Sequence, residues 1–210
     1  MARTEKVPDI VVGRLPIYLR ALTRLADEGW DVVSSQDLAR LLGVSSAQIR
    51  KDFSHFGEFG KQGTGYRIAH LREQLAAILN VDREWEVALV GSGPLAEALL
   101  SENPLAGQGF RITAVFDSRP ERVGLRLGAL EILDAASLPD VVDANGMRAA
   151  IVAVPASQAQ ETVDELVQAG IKAILSYAPV TLRVPPEVRI QYADAAALLQ
   201  RMAYYLQHTP

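Results

Sequence analysis

Two short stretches of this 210-residue chain carry residue types able to do chemistry. The first is Gly91-Ser92-Gly93-Pro94-Leu95-Ala96, placed directly after the apolar run Val87-Ala88-Leu89-Val90. A glycine after a buried strand permits a tight turn. A second one, two residues on, lets backbone approach a pyrophosphate, and the helix that starts there aims its free N–H groups at phosphate oxygens. Pro94 suits a first helical turn, where a missing N–H is no loss. Ala96 is small enough for the helix to pack closely on the strand. Asp117 lies 21 residues beyond Ala96, at the end of the apolar run 112–116. A carboxylate there accepts hydrogen bonds from an adenine ribose and repels a 2′-phosphate, which favours NAD(H) over NADP(H). Arg119 follows closely and weakens that preference. The alternatives are a glycine turn that binds nothing, or one that binds another nucleotide such as coenzyme A.

The second stretch is Gln48-Ile49-Arg50-Lys51-Asp52. Long polar side chains near the start of a helix reach base edges in the major groove, with Arg and Lys suited to guanine and Gln to adenine. Ser45, Ser46, Gln48, Arg50 and Lys51 supply such groups, while Ile49 and Phe53, four apart, form the buried side. Ahead of them, Ser34-Ser35-Gln36-Asp37 reads as a helix cap with an acidic first turn, and Gly43 as a stop. The connection Gly43-Val44-Ser45 has the shortness of a helix-turn-helix turn. Residues 56–68 are glycine-rich and end in a strand-like alternation, as a β-hairpin wing would. Lys61 and Gln62, flanked by Gly60 and Gly63, are placed to enter a minor groove, where width and A·T content are read. An isolated Arg-Lys pair is usually a solvated helix face. Inside a capped helix-turn-helix followed by a wing, DNA contact is the stronger reading.

The elements that must position these residues follow from periodicity. Ile10, Leu15, Leu19, Leu22 and Leu25 give residues 9–28 a helical period, and Pro16 is expected to kink or divide that helix. A further amphipathic helix is predicted over 70–79, then a linker at 80–83. Beyond it the apolar runs 87–90, 112–116, 149–154, 173–175 and 188–192 alternate with helical segments, among them 158–169, which implies a parallel sheet with right-handed crossovers. Asp194 is a natural N-cap for a last helix with Leu198, Leu199, Met202 and Leu206 at helical spacing. That stripe packs either on its own core or across a dimer, since helix-turn-helix proteins read two half-sites through two-fold symmetry. The expected fold is α/β: a winged helix-turn-helix domain over 1–80, a Rossmann domain with a parallel sheet over 84–192, and a dimerisation helix over 194–210.

A net charge of −4 speaks against nucleic acid, but the charge is unevenly spread. Residues 1–83 hold 12 Lys and Arg against 10 Asp and Glu, whereas 84–210 hold 9 against 15. There is no cysteine, so neither disulfides nor thiolate metal sites arise, and no metal is expected. No apolar run nears 18 residues and the first residues lead into no signal-type segment, which predicts a cytoplasmic protein without a membrane partner. An oxidoreductase needs a group that moves a proton while hydride moves. The histidines are His55, His70 and His208, so none lies between 84 and 207. None of Lys6, Lys51, Lys61 and Lys172 follows a tyrosine by four. A small NAD-dependent oxidoreductase is therefore the weaker alternative to a DNA-binding regulator, as is a regulator that senses coenzyme A or another nucleotide.

These residues resemble one family. Ser34-Ser35, Leu38-Ala39, Gly43, residues 48–52, Phe56-Gly57, Phe59-Gly60, Gly63 and Gly65-Tyr66 resemble the signature of the Rex redox-sensing transcriptional repressors. So do residues 91–99, Val115-Phe116-Asp117, Val152-Ala153-Val154-Pro155, residues 170–175 and Ala178-Pro179-Val180. The resemblance implies a homodimer on double-stranded operator DNA, an inverted repeat rich in A·T, with the last helix exchanged between subunits. It implies that NADH releases the DNA while NAD+ permits binding, and that Val154, Pro155, Ala178 and Pro179 join the cofactor site. Arg20 and Asp194 resemble two residues of the family's redox switch, although a solvated helix arginine and a helix N-cap explain them equally well. The chain departs from the family pattern at His55, Phe53 and Lys61, and it has Asn103 where some members place a switch tyrosine.

Overall fold

A proline past the first turn of a helix removes a hydrogen bond and strikes the carbonyl four residues back. Pro16 accordingly sets the first boundary. The helical run 9–28 divides, as expected at Pro16, into α1 (Asp9–Val12) and α2 (Leu15–Asp27), with Pro16 inside the first turn of α2 and the break just ahead of it at Gly13-Arg14. The computed structural model describes residues 7–57, 59 and 65–208, and the chain divides into two units, 1–83 and 84–210.

In the first unit α2 is followed by β1 (Val32–Val33), α3 (Ser35–Leu42), α4 (Ser46–Ser54), β2 (Tyr66–Arg67) and α5 (Ile68–Ile78). Ser34 caps α3 in a reciprocal box, its hydroxyl oxygen accepting from the Asp37 N–H at 3.1 Å while Asp37 accepts from the Ser34 N–H. Gly43 ends α3 in the left-handed region, at φ +67°. Ser45 then caps α4 by accepting from the Gln48 N–H at 3.1 Å. The strand-like end of the expected hairpin does form a strand, but β2 pairs antiparallel with β1, Val32 opposite Arg67 and Val33 opposite Tyr66. Sequence reading overlooked β1 because two residues carry no period. Gly65 permits this pairing: it has φ +73°, and a Cβ there would stand 2.9 Å from the Val33 carbonyl oxygen. Lys61, Gln62 and Gly63, the expected wing residues, lie outside the described residues.

The core of this unit joins Leu15, Tyr18 and Leu22 of α2 to Ile49 and Phe53 of α4 and to Leu71 and Leu75 of α5. Phe53 is its hub, with the rings of Tyr18, Phe59 and Tyr66 each edge-on at 5.4 Å. Next to it lies Asp52, a fully buried carboxylate. Arg14 donates to both its oxygens, at 2.6 and 2.7 Å, the Tyr18 hydroxyl donates to Oδ2 at 2.6 Å, and the Gln48 amide donates to Oδ1 at 2.7 Å. Burial pushes the Asp52 carboxyl up, but these bonds outweigh it and hold the group below the usual carboxylate range. Burial, with the bond to Asp52, pushes the Tyr18 phenol up to about 12.

The second unit opens with β3 (Trp85–Val90), α6 (Pro94–Ser101) and β4 (Phe110–Asp117). A hairpin of β5 (Arg126–Leu127) and β6 (Leu130–Asp134) follows, then α7 (Leu138–Ala144). The chain continues through β7 (Ala149–Val152), α8 (Ala156–Gln168), β8 (Ala173–Ser176), β9 (Arg189–Tyr192) and α9 (Ala195–His208). The sheet order is β5-β6-β4-β3-β7-β8-β9, parallel except for the short β5. Without that edge it is the doubly wound dinucleotide-binding order. Side chains alternate between two covered faces. Val87, Leu89 and Val115 pack with Ala96 and Leu99 of α6, while Ala88, Val90 and Phe116 pack with Leu138, Val142, Ala159 and Val163 of α7 and α8. The hairpin and α7 were not foreseen. In α9 the apolar stripe is solvent-exposed on the single chain, from Leu198 and Leu199 through Met202 to Leu206.

The buried network makes the first unit sensitive to pH at both ends. Asp52 has a depressed pKa, so its contribution is complete above its ordinary 3.8 and is lost as pH falls through the folded value. Tyr18 has a raised one, so its contribution is complete below 10.0 and is lost as pH climbs toward about 12. At neutral pH, Tyr18→Phe should lower unfolding free energy by about 1.5–3 kcal/mol, the worth of a bond to a charged acceptor. Urea unfolding followed at Trp30 in a Trp85→Phe background checks this. The gap between wild type and variant should close above about pH 10; a constant gap would rule out Tyr18 titration as the cause.

Candidate nucleic-acid and nucleotide sites

On α4 the inward residues are Ile49, Asp52 and Phe53, so the opposite face carries Ala47, Arg50, Lys51 and Ser54, all exposed. Arg50 extends toward the start of α3, where its Nη1 donates to the Ser35 hydroxyl at 3.0 Å. Ser45 is exposed at the cap and Ser46 half-buried in the first turn. Gln48, expected among the base-reading side chains, is half-buried, and its amide is committed to Asp52. Sequence reasoning missed that bond, although the i,i+4 spacing of an amide and a carboxylate was its available signal. Ser54, one turn beyond Arg50 on the same face, donates its hydroxyl to the Lys51 carbonyl at 2.8 Å.

In the second unit α6 leaves one face of the sheet and α8 the other, from the neighbouring strands β3 and β7. A crevice at the carboxyl ends of such strands is where this topology places ligands. A cleft of about 600 Å³ lies there, within the size range of small-molecule sites. Of the residues expected to hold a cofactor, Gly91, Gly93, Pro94, Asp117, Val154 and Pro155 line it. Ser92 and Ala96 are buried beneath it, and Leu95 is exposed away from its lining. Ala178 is buried in the core and Pro179 exposed, and neither lines the cleft.

The two glycines have different reasons. Gly91 has φ +100°, and a Cβ on it would lie 2.4 Å from the Ala153 carbonyl oxygen. The ends of β3 and β7 therefore approach only if this residue is glycine. A Cβ on Gly93 would meet no protein atom within 4 Å, so it would project into open space at the cleft. Gly93 is also the extended N-cap of α6 and, being glycine, offers no side-chain cap to the first-turn N–H groups. The arrangement suits a pyrophosphate.

Asp117 closes β4 and is almost fully buried. Its Oδ2 accepts from the Ser92 N–H at 2.9 Å, the Ser92 hydroxyl at 2.6 Å and Arg119 Nη2 at 2.8 Å. Its Oδ1 accepts from the Arg119 N–H and Nε, both at 2.9 Å. Burial pushes the carboxyl up, but the bonds from Arg119 and Ser92 win and hold it far below the usual carboxylate range. Arg122 grips the glycine loop from the other side, donating to the Ser92 hydroxyl at 3.1 Å and to the Ser92 carbonyl. Gln158, Glu161, Thr162 and Glu165 also line the cleft from one face of α8. Their three- and four-residue spacing was legible as a helix face, although nothing marked it as facing a ligand.

Residues 6–54 match a family model described as "Putative DNA-binding protein N-terminus", and residues 82–180 match one described as "CoA binding domain". The chain is 47% identical over 206 residues to the redox-sensing transcriptional repressor Rex of Roseiflexus sp. (strain RS-1), covering 98% of this chain and 94% of that protein. The crystal structure of RSP in complex with β-NAD+ and operator DNA superposes with a TM-score of 0.90 at 33% identity, covering 97% of this chain and 94% of that one. RSP in complex with β-NADH gives 0.86 at 32%, covering 96% and 95%.

The chain belongs to the Rex family of redox-sensing transcriptional repressors. The structure places the three residues that the resemblance linked to a redox switch. Asn103 lies just past the end of α6 with φ +42°, a left-handed position that asparagine tolerates well. Asp194 does cap α9, accepting from the Ala197 N–H at 3.0 Å, and Arg20 is exposed on α2. Among the described residues, no helix is long and apolar enough to cross a membrane.

The glycine geometry separates two variants of this Rex. Gly91→Ala forces a Cβ into the Ala153 carbonyl at a strained φ and should destabilise the second unit by at least about 3 kcal/mol. Gly93→Ala should change stability by no more than about 0.5 kcal/mol, as at an open surface site. Denaturant unfolding followed at Trp85 in a Trp30→Phe background reads both. Equal loss in the two variants would mean that the backbone contact at Ala153 is not what requires Gly91.

Proposed function

We propose that this Rex is a cytoplasmic homodimer that binds double-stranded operator DNA, an inverted repeat rich in A·T, and leaves it when NADH occupies the cleft. NAD+ permits binding, so repression reports the NADH/NAD+ ratio. The observation that carries this reading is the presence in one chain of a capped helix with exposed Arg50 and Lys51 and a glycine-turned cleft at the switch point of a doubly wound sheet. The crystal structures of RSP with β-NAD+ and operator DNA, and with β-NADH, support carrying both ligands over.

The cleft geometry supports the nucleotide roles, and the family resemblance supports those at the wing and the switch. Gly93 and the first turn of α6 receive the pyrophosphate, Gly91 and Ser92 shape the loop beneath it, Ala96 seats α6 on the sheet, and Asp117 is assigned to the ribose. Pro94, Val154 and Pro155 give the cleft apolar walls. On the DNA side, Arg50 and Lys51 make contacts, with Ser45 and Ser46 at the start of the helix. Lys61, Gln62 and Gly63 are assigned to a wing in the minor groove. Arg20 and Asp194 are assigned to the redox switch, and α9 to the dimer, where its exposed apolar stripe is covered. The chain is not an enzyme on this reading, since no histidine between 84 and 207 is available for proton transfer.

Titration of an operator complex with NADH, NAD+ and NADPH, read by fluorescence anisotropy, tests the whole proposal; DNA that stays bound at saturating NADH would end it. In the same assay Arg50→Ala and Lys51→Ala should each weaken operator binding by about 1–3 kcal/mol, with NADH affinity unchanged. Undiminished operator affinity in both would remove α4 as the reading helix.

The role of α9 has its own test. Deleting residues 194–210 should abolish both dimerisation and specific operator binding, because a single half-site gives too few contacts. Sedimentation velocity gives the oligomeric state. A truncated chain that sediments as a dimer and still releases DNA on adding NADH would exclude α9 as the dimer element.

A further inference from the structure

An aspartate at the end of the second strand of a dinucleotide fold is expected to favour NADH over NADPH, because it binds the ribose hydroxyls and repels a phosphate in their place. Here that aspartate is not free to do either. Its two oxygens accept five hydrogen bonds, three from Arg119 and two from Ser92, against about four lone-pair sites on a carboxylate. A ribose hydroxyl gains an acceptor only when Arg119 moves off. The negative charge is also compensated by a guanidinium in bidentate contact, which weakens its repulsion of a phosphate.

Arg119 is itself suited to a phosphate. It lines the cleft beside Ser118, immediately after the ribose acid. Half of its side chain is exposed, so it can swing at little expense of packing. Two of its five N–H groups serve Asp117, and the others remain to meet a second anion. Its fork matches phosphate oxygens in pairs. Glu161 and Glu165 line the cleft from α8 and oppose an anion, but both are exposed to water, which screens them.

We propose that Arg119 sets the phosphate selectivity of this cleft, and that the cleft binds NADPH as well as NADH. With NADH, Arg119 yields Asp117 to the ribose. With NADPH, Arg119 takes the 2′-phosphate together with the Ser118 hydroxyl. The inference rests on the nucleotide reading given above. Isothermal titration calorimetry on the full chain with NADH and with NADPH, for wild type, Arg119→Gln and Arg119→Lys, tests it. The wild-type dissociation constants should lie within about tenfold of each other. Arg119→Gln should weaken NADPH by about tenfold or more while leaving NADH as tight or tighter, and Arg119→Lys, which keeps the charge without the fork, should fall between. A wild-type preference for NADH beyond that range overturns the proposal, and so does an NADPH-to-NADH ratio that Arg119→Gln leaves unchanged. If NADH itself does not bind, the nucleotide reading has failed, and the NADH arm alone reveals it.

Discussion

A carboxylate taken out of water must be met by donors and by opposite charge, or it destabilises whatever holds it. Each unit of this chain is organised around one such group. Asp52 is buried in α4 and is satisfied by Arg14 and Tyr18, residues that belong to the start of α2. The helix that carries Arg50 and Lys51 is thereby fixed to the helix behind it by a bond network as well as by Ile49 and Phe53. Asp117 is buried at the end of β4 and is satisfied by Ser92 between the two glycines. Arg122 completes the clamp on Ser92. In both places a buried acid fixes the geometry of the residues around it.

The two clamps differ in what they leave available. Asp52 is closed off: its donors are drawn from its own unit, and Gln48 is drawn in with them, which turns an expected base reader into a brace. Asp117 keeps one replaceable partner, since Ser92 is fully buried whereas Arg119 is half exposed. A ligand can displace the second without disturbing the first. Rigid support and an exchangeable counter-ion on one carboxylate are what a binding site needs, because a support that left with its counter-ion would take the glycine loop with it.

Features that depend on local chemistry were legible in the sequence. The serine caps at Ser34 and Ser45, the stop at Gly43, the buried pair Ile49 and Phe53, and the glycine turn after β3 each follow from neighbours a few residues apart. The parallel sheet followed from alternation of strand and helix, whereas its strand order came only with the structure. What was not legible depends on distant partners or on very short elements. β1 is two residues long, and β5 with β6 adds an edge hairpin where no clear period exists. Arg14 and Asp52 are 38 residues apart, and nothing in either neighbourhood announces the other. The saturation of Asp117 is a matter of counting donors in space. The roles of Ala178 and Pro179 came from family resemblance, and the fold puts one in the core and the other outside the cleft lining.

These distinctions bear on what a redox sensor can sense with which part of its site. NADH and NAD+ share their adenosine and pyrophosphate and differ only at the nicotinamide ring, which carries a positive charge when oxidised. A contact that meets both forms alike cannot shift an equilibrium between two protein states, however strong it is. On the roles proposed above, Ser92, Asp117 and Arg119 act at the adenosine end. They set the concentration at which the site fills and the phosphate it tolerates, while the preference for the reduced form must arise where the rings differ. Nucleotide affinity and redox selectivity are therefore separable in this chain. On that reading a change at Arg119 alters which nucleotide fills the site and leaves the choice between reduced and oxidised rings to other residues.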